Sequence, residues 1–193
     1  MSDAFAYALT RWTARAVRRR TRAWWLLAAL SATAPGGCAK LEEPQPPAPT
    51  AARIVRVVDG DTIVVRTRGR DVPVRLLGID TPETHGGPAE CGGAAASENL
   101  ARLARPGAPV RLVTDPRSGD TRDRYGRLLA YVDSGRGDLG ERQLRAGLAY
   151  VYRYRGRRFS RLDRYRVAEG DARTRGRATW SACAGDFHAA PVR

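Results

Sequence analysis

The stretch that most constrains this 193-residue chain covers residues 59–83, DGDTIVVRTRGRDVPVRLLGIDTPE. It strings short β-patterned runs between sharp turns and leaves acids at the turn and at the strand end. Ahead of it, residues 53–58 (RIVRVV) alternate and are rich in β-formers, which predicts a strand. Asp59-Gly60 is a hairpin turn signal. Residues 62–67 (TIVVRT) predict a second strand, and the chain turns at 69–71 into a third over 72–79 (VPVRLLGI). Alternation on that strand puts Val74, Leu76 and Gly78 on one face and Pro73, Arg75 and Leu77 on the other. An arginine in mid-strand needs a partner or a ligand. Pro82 stops the strand, because it has no N–H for a ladder.

The remainder adds helices around more strands. Residues 84–93 form a Gly-rich loop containing His85, read as an ordinary loop residue. Residues 94–105 have helical spacing at Ala96, Leu100 and Leu103, stopped by Pro106-Gly107. Residues 109–114 predict a fourth strand and 127–133 a fifth, with a polar loop at 115–124 between them. Helices follow over 139–146, ended by Gly147, and over 160–175, with Leu162, Tyr165, Val167 and Ala168 as the apolar side. Five strands with about three inserted and appended helices define an α+β class.

A second block, residues 123–132 (DRYGRLLAYV), carries chemistry with the first. Together they supply Asp61, Asp80 and Glu83 and two arginines, Arg75 and Arg127. Acids of this kind bind a hard cation and activate water. Arginines clamp phosphate and stabilise the charge of its transition state. Taken singly, Asp61 reads as a turn residue, Asp80 as a strand-end cap and Arg127 as a surface arginine; together they are the set that cutting a phosphodiester requires.

Charge agrees. The formal net charge is +14. From residue 53 onward there are 27 arginines, no lysine and 17 acids, so the globular part is basic by itself and suits a polyanion such as nucleic acid. A GC-rich genome would account for arginine over lysine, but not for the excess over acid. No groove-reading motif is present, which argues against a sequence-specific reader.

DGDT, the following arginine, D-T-P-E and the D-R-Y-G-R block come in the order and spacing of one family. The chain resembles the staphylococcal nuclease-like family over about residues 53–183. The resemblance implies an OB-fold-like, five-stranded β-barrel, whose face and loops bind oligonucleotides. It also implies a calcium-dependent endonuclease that acts on DNA and RNA with little sequence preference and leaves 3′-phosphates. Asp61, Asp80 and the carbonyl of Thr81 match calcium ligands. Glu83 matches the general base, and Arg75 and Arg127 match the phosphate clamps. Asp59 shapes the turn beneath the ligands. Arg124 and Tyr125 match positions near the bound nucleotide. One of Tyr150, Tyr152 and Tyr154 faces substrate, with Tyr152 the position taken here, and each of the three could instead belong to the core. Aromatic platforms among arginines favour single strands. The chain is expected to act as a monomer. The alternative reading is a non-catalytic OB-fold module that binds nucleic acid; such members lose acids or arginines of the site, and this chain keeps all five.

Residues 1–38 read as an export signal: a basic stretch, about 12 apolar residues ending at Ala34, then Pro35-Gly36-Gly37-Cys38. The apolar run is short of the ~20 residues of a membrane span. Cys38 sits where a bacterial lipoprotein cysteine would be, though Pro35 occupies a place where Leu is usual; cleavage near Ala34 or Gly37 with free secretion is the alternative. An initiation at Val17 would give a signal of more ordinary length. Residues 39–52 are Pro-rich and read as a linker, 53–185 as the nuclease-like domain and 186–193 as a tail. The expected location is outside a bacterial cell, free or membrane-anchored. None of the three cysteines has a metal-site spacing. In an exported chain Cys91 and Cys183 are expected to pair, two free thiols being the alternative.

Overall fold

The computed structural model describes residues 48–84 and 88–190, all within the unit formed by residues 42–193. The expected signal with Cys38, most of the linker and His85 lie outside the described residues.

β1 (Thr50–Val57) turns into β2 (Thr62–Thr67), and a tight turn leads to β3 (Arg70–Leu76). β4 (Ile79–Asp80) is a two-residue strand, and α1 (Gly93–Leu103) follows it. β5 (Pro109–Val113) and β6 (Leu128–Ser134) complete the main strands. β7 (Gly137–Asp138) leads into α2 (Leu139–Ala146), then come β8 (Tyr150–Val151), α3 (Leu162–Thr174) and a short α4 (Thr179–Ala182). The strands run β3-β2-β1-β5-β6, and a parallel β3–β6 pairing closes the ring. The result is a five-stranded mixed barrel with three main helices, as expected.

The strand pattern places the core. Inward residues at every second position are buried: Ala52 and Ile54, Ile63 and Val65, Val74 and Leu76, Val110 and Leu112, Ala130 and Val132. α1 sets Ala96 and Leu100 in the interior, α2 sets Leu144, and α3 sets Leu162, Tyr165, Ala168 and Ala172. Val167, expected on the apolar side of the last helix, is 67 % exposed. The buried stripe of α3 follows spacings of three and four, and Val167 lies off it.

Three boundaries differ from the sequence expectation. β1 begins at Thr50, because residues 50–53 pair with β5 from Thr50↔Leu112 to Arg53↔Pro109; strand pairing outweighs the linker-like composition. The third strand is not continuous to Ile79. Gly78 has φ +85°, and a Cβ there would lie 2.7 Å from the Phe159 ring, so the chain breaks and Ile79–Asp80 pairs with β8 instead. The expected tail is packed: Phe187 is buried against Trp180 and Tyr150, and the Cys91 N–H donates to the Ala189 carbonyl at 2.7 Å.

Candidate active site

Asp61 stands at the turn between β1 and β2. Its N–H donates to Asp59 Oδ1 at 3.0 Å, a local turn bond that fits the role read for Asp59. Gly60 lets this turn lie against the segment after β4: an added Cβ would come within 2.6 Å of Thr81 Oγ1 and 2.7 Å of Ala96. The Thr81 N–H and hydroxyl both donate to Asp61 Oδ2 at 3.1 Å. Turn and strand end, 20 residues apart, are thus joined through one carboxylate.

Arg75 finds the partners that its place in the strand called for. Its Nη2 contacts Asp61 Oδ2 at 2.8 Å and also pairs with Asp80 Oδ1, while Nη1 donates to the Ile79 carbonyl at 2.8 Å. The β2–β3 register sets Arg75 opposite Thr62, and the parallel β3–β6 pairing sets it opposite Leu129. That closure brings the residue before β6 into reach: Arg127 Nη1 donates to Thr62 Oγ1 at 3.2 Å, and Thr62 Oγ1 donates to Asp61 Oδ1 at 3.0 Å. Asp61, Thr62, Arg75, Asp80, Thr81 and Arg127, from two sequence blocks, therefore share one end of the barrel.

The electrostatics follow from burial. Asp61 is 4 % exposed. Desolvation raises its pKa to about 7; Arg75 opposes this, and Asp59 and Asp80 add to it. Glu83 is exposed at the rim, yet partial burial and the carboxylates of Asp59 and Asp80 raise its pKa too. Its N–H donates to Glu90 Oε2 at 2.7 Å, which fixes the backbone that carries it.

Calcium would be held by Asp61, Asp80 and the Thr81 carbonyl. Among the described residues, no three acidic, histidine or cysteine side chains form a metal-binding group. The donor set still fits a hard cation. Two carboxylates already meet at one cationic nitrogen, and calcium completes its shell with carbonyl oxygen and water.

The expected substrate contacts divide. Tyr125 is 66 % exposed, with the guanidinium of Arg124 4.7 Å and that of Arg127 5.3 Å from its ring centre. It is an open aromatic face beside two guanidinium groups. Tyr152 and Tyr154 are also exposed. Tyr150 is the tyrosine bonded into the cluster: its hydroxyl donates to Asp80 Oδ2 at 2.7 Å. Burial, and then Asp80, raise its pKa, so it stays a donor. Sequence reasoning did not single out Thr62, Asp123, Glu90 or His188. His188 reaches the Tyr150 hydroxyl at 3.1 Å and Glu90 Oε1 at 3.0 Å. Asp123 and Thr62 were readable as members of the two blocks; nothing in the sequence marked Glu90 or His188. The disulfide expected between Cys91 and Cys183 is present, with Cα atoms 6.0 Å apart.

A barrel with paired acids and paired arginines at one end defines a nucleic-acid-cleaving class of OB-fold, and the comparisons give its family. The profile of staphylococcal nuclease homologues matches residues 73–182, and the chain belongs to that family. It is 35% identical over 131 residues to a thermonuclease of Staphylococcus hyicus, covering 67% of this chain and 75% of that one. It is 37% identical over 129 residues to Endonuclease YncB of Bacillus subtilis, covering 65% of this chain and 59% of that one. A thermonuclease of Staphylococcus intermedius is 38% identical over 116 residues, 59% of this chain and 64% of that one.

Proposed function

We propose that this protein is an exported, calcium-dependent endonuclease that hydrolyses phosphodiesters of DNA and RNA with little sequence preference, leaving 3′-phosphates. Membership of the family and the nuclease names of its relatives support the phosphodiester-hydrolase class. The observation that carries the reading is the convergence of Arg75, Asp61 and Asp80 with Arg127 around Thr62.

Arg75 and Arg127 bind two non-bridging oxygens of the scissile phosphate and meet the charge that grows on them. Glu83 takes the proton of the attacking water, a task helped by a pKa lifted toward the working pH. Bound calcium would polarise the phosphate and the water. Tyr125 offers a face on which a base stacks, and Arg124 beside it meets a neighbouring phosphate. Stacking needs unpaired bases, so single strands are the favoured substrate. The disulfide and the signal-like segment support export. Cys38 would carry a lipid anchor if it is processed as a lipoprotein cysteine.

The test is cleavage of single-stranded DNA with calcium, with magnesium and with a calcium chelator, beside Glu83→Gln. Cleavage that requires both calcium and Glu83 establishes reaction and site. A folded protein that binds DNA in a salt-sensitive way and never cuts it would be a binding module instead.

A further inference from the structure

A second concentration of charge lies on the outer face of the barrel, away from the catalytic cluster. The cluster gathers at the first residue of β2 and the end of β3. At the other end of β2, beside the starts of β1 and β5 and the end of β6, is a cleft of about 570 Å³. Arg53, Arg66, Arg68 and Arg111 line it. The acid at its edge, Asp133, is already taken: its two oxygens accept from Arg161 at 2.6 and 2.8 Å.

Two features of these arginines run against local stability. Arg53 and Arg66 are direct partners in the β1–β2 ladder, and like charges directly opposite destabilise a sheet. Their heads are nonetheless fixed in place, Arg53 on the Gly107 carbonyl at 2.9 Å and Arg66 on both oxygens of Asp71 at 2.7 and 3.0 Å. Arg68 stands at the β2–β3 turn with φ +49°, a left-handed position that Asn or Gly adopts more easily. The cleft thus gathers arginines at a strained turn and at directly opposed ladder positions, where local stability alone does not favour them.

The cleft is also in line with the catalytic cluster. Thr62, Val64 and Arg66 alternate with the core residues Ile63 and Val65 and share the other face of β2, Thr62 covered there by Asp61 and Arg127, so cluster and cleft are four residues apart, ~13 Å. Arg56, exposed and opposite Val64, lies between them. That span corresponds to about four phosphates of a stacked strand.

We propose that this cleft is a second anchoring site for the phosphodiester backbone of the polynucleotide being cut. It engages only strands long enough to reach from the catalytic end across the β1–β2 face. The inference rests on the nuclease reading above. Arginine suits phosphate without reading bases, so the anchor adds affinity and no sequence preference. Linking two sites on one strand raises apparent affinity for long substrates alone.

The test is the triple substitution Arg53→Gln, Arg68→Gln, Arg111→Gln in the full chain, which leaves the Arg66–Asp71 pair intact. On a ~40-nucleotide single strand, KM should rise roughly tenfold with kcat kept, while on a trinucleotide neither should change. The slope of log affinity against log salt should fall by about 2 for the long strand, from ~0.7 per lost phosphate contact. Arg68→Asn alone should raise the melting temperature and still weaken long-strand binding, which separates the anchor from a folding defect. A KM that changes equally on both lengths, or on neither, overturns the proposal. If the unsubstituted protein cuts nothing but binds long strands through these arginines, the nuclease reading falls and the anchor stands. Normal cleavage with length dependence unaltered by the triple substitution does the reverse.

Discussion

Asp123 holds Arg127 at two points: Oδ2 accepts from the guanidinium Nε at 2.6 Å, and Oδ1 accepts from the Arg127 backbone N–H at 3.0 Å. Burial pushes the Asp123 pKa up, but the bonds from Arg127 outweigh it and hold the carboxyl below its usual range. On the proposed role of Arg127 as a phosphate clamp, Asp123 is its positioning residue. Arg127→Ala should lower turnover roughly 10²–10⁴-fold. Asp123→Asn should cost about 10–10²-fold through misplacement of the same group. The double variant should be no slower than Arg127→Ala, because the two losses are one loss. Additive effects in single-turnover kinetics would show that Asp123 acts on its own account.

Glu83→Gln removes the proton acceptor and keeps the shape. Turnover should fall ~10²–10⁴-fold while DNA affinity in calcium is nearly kept. The pH–rate profile carries the sharper information. Its acidic limb should lie above an ordinary carboxylate's range, because burial and the neighbouring acids raise the Glu83 pKa, and it should flatten in the Gln variant. An unchanged limb would assign that titration to another group.

Turn chemistry and strand alternation place most residues of the cluster locally, but only their joint pattern and the family resemblance marked them as a site. Asp59-Gly60-Asp61 must turn, Arg75 must point away from Val74 and Leu76, and Pro82 must end the run. What brings Arg127 to Thr62 is the parallel β3–β6 pairing, and pairing between strands more than 50 residues apart leaves no local trace; family resemblance implied a barrel and a role for Arg127, not this pairing. The break at Gly78 was hidden because its cause is a ring from Phe159, far along the chain. For the same reason His188 passed as tail: only the packing of Phe187 on Tyr150 and Trp180 carries it to the site. The four-residue helix Thr179–Ala182 is too short for periodicity to register.

Without calcium, stability should peak on the acid side of neutrality. Arg161 bonds depress the Asp133 pKa. In Asp115 burial is outweighed by bonds from Ser160, Tyr131 and Arg117, so its pKa also falls. Asp123 adds a third depressed group. These contributions are present above the unfolded carboxylate pKa of about 4 and are lost as pH falls below it. Asp61 has the opposite sign. Its folded pKa near 7 lies above the unfolded value, so its contribution is complete below about pH 4 and is lost as pH rises through about 7. Thermal melts in chelator should therefore show a maximum between about pH 4 and 6. Calcium needs Asp61 ionised, so adding it should move the maximum to neutral pH, with proton release on binding below about pH 7. A calcium affinity that is flat from acid to neutral pH would remove Asp61 from the ligand set.

The Cys91–Cys183 bridge joins residues 92 apart in sequence and ties together two segments that meet beside the site. Glu90, next to Cys91, accepts the Glu83 N–H; Ala189, beyond Cys183, accepts the Cys91 N–H. A loop of this length is worth about 4–5 kcal/mol by chain entropy alone, an upper figure because unfolded chains retain structure. Cys91→Ser with Cys183→Ser should lower the melting temperature by roughly 10 °C or more. Near room temperature the substituted protein should stay folded, and turnover should fall by less than about tenfold, since no reacting group is removed. Calcium should restore part of the lost stability by binding the folded state alone. A reduced protein with two titratable thiols and an unshifted melt would show that core and barrel closure hold this end of the fold without the bridge.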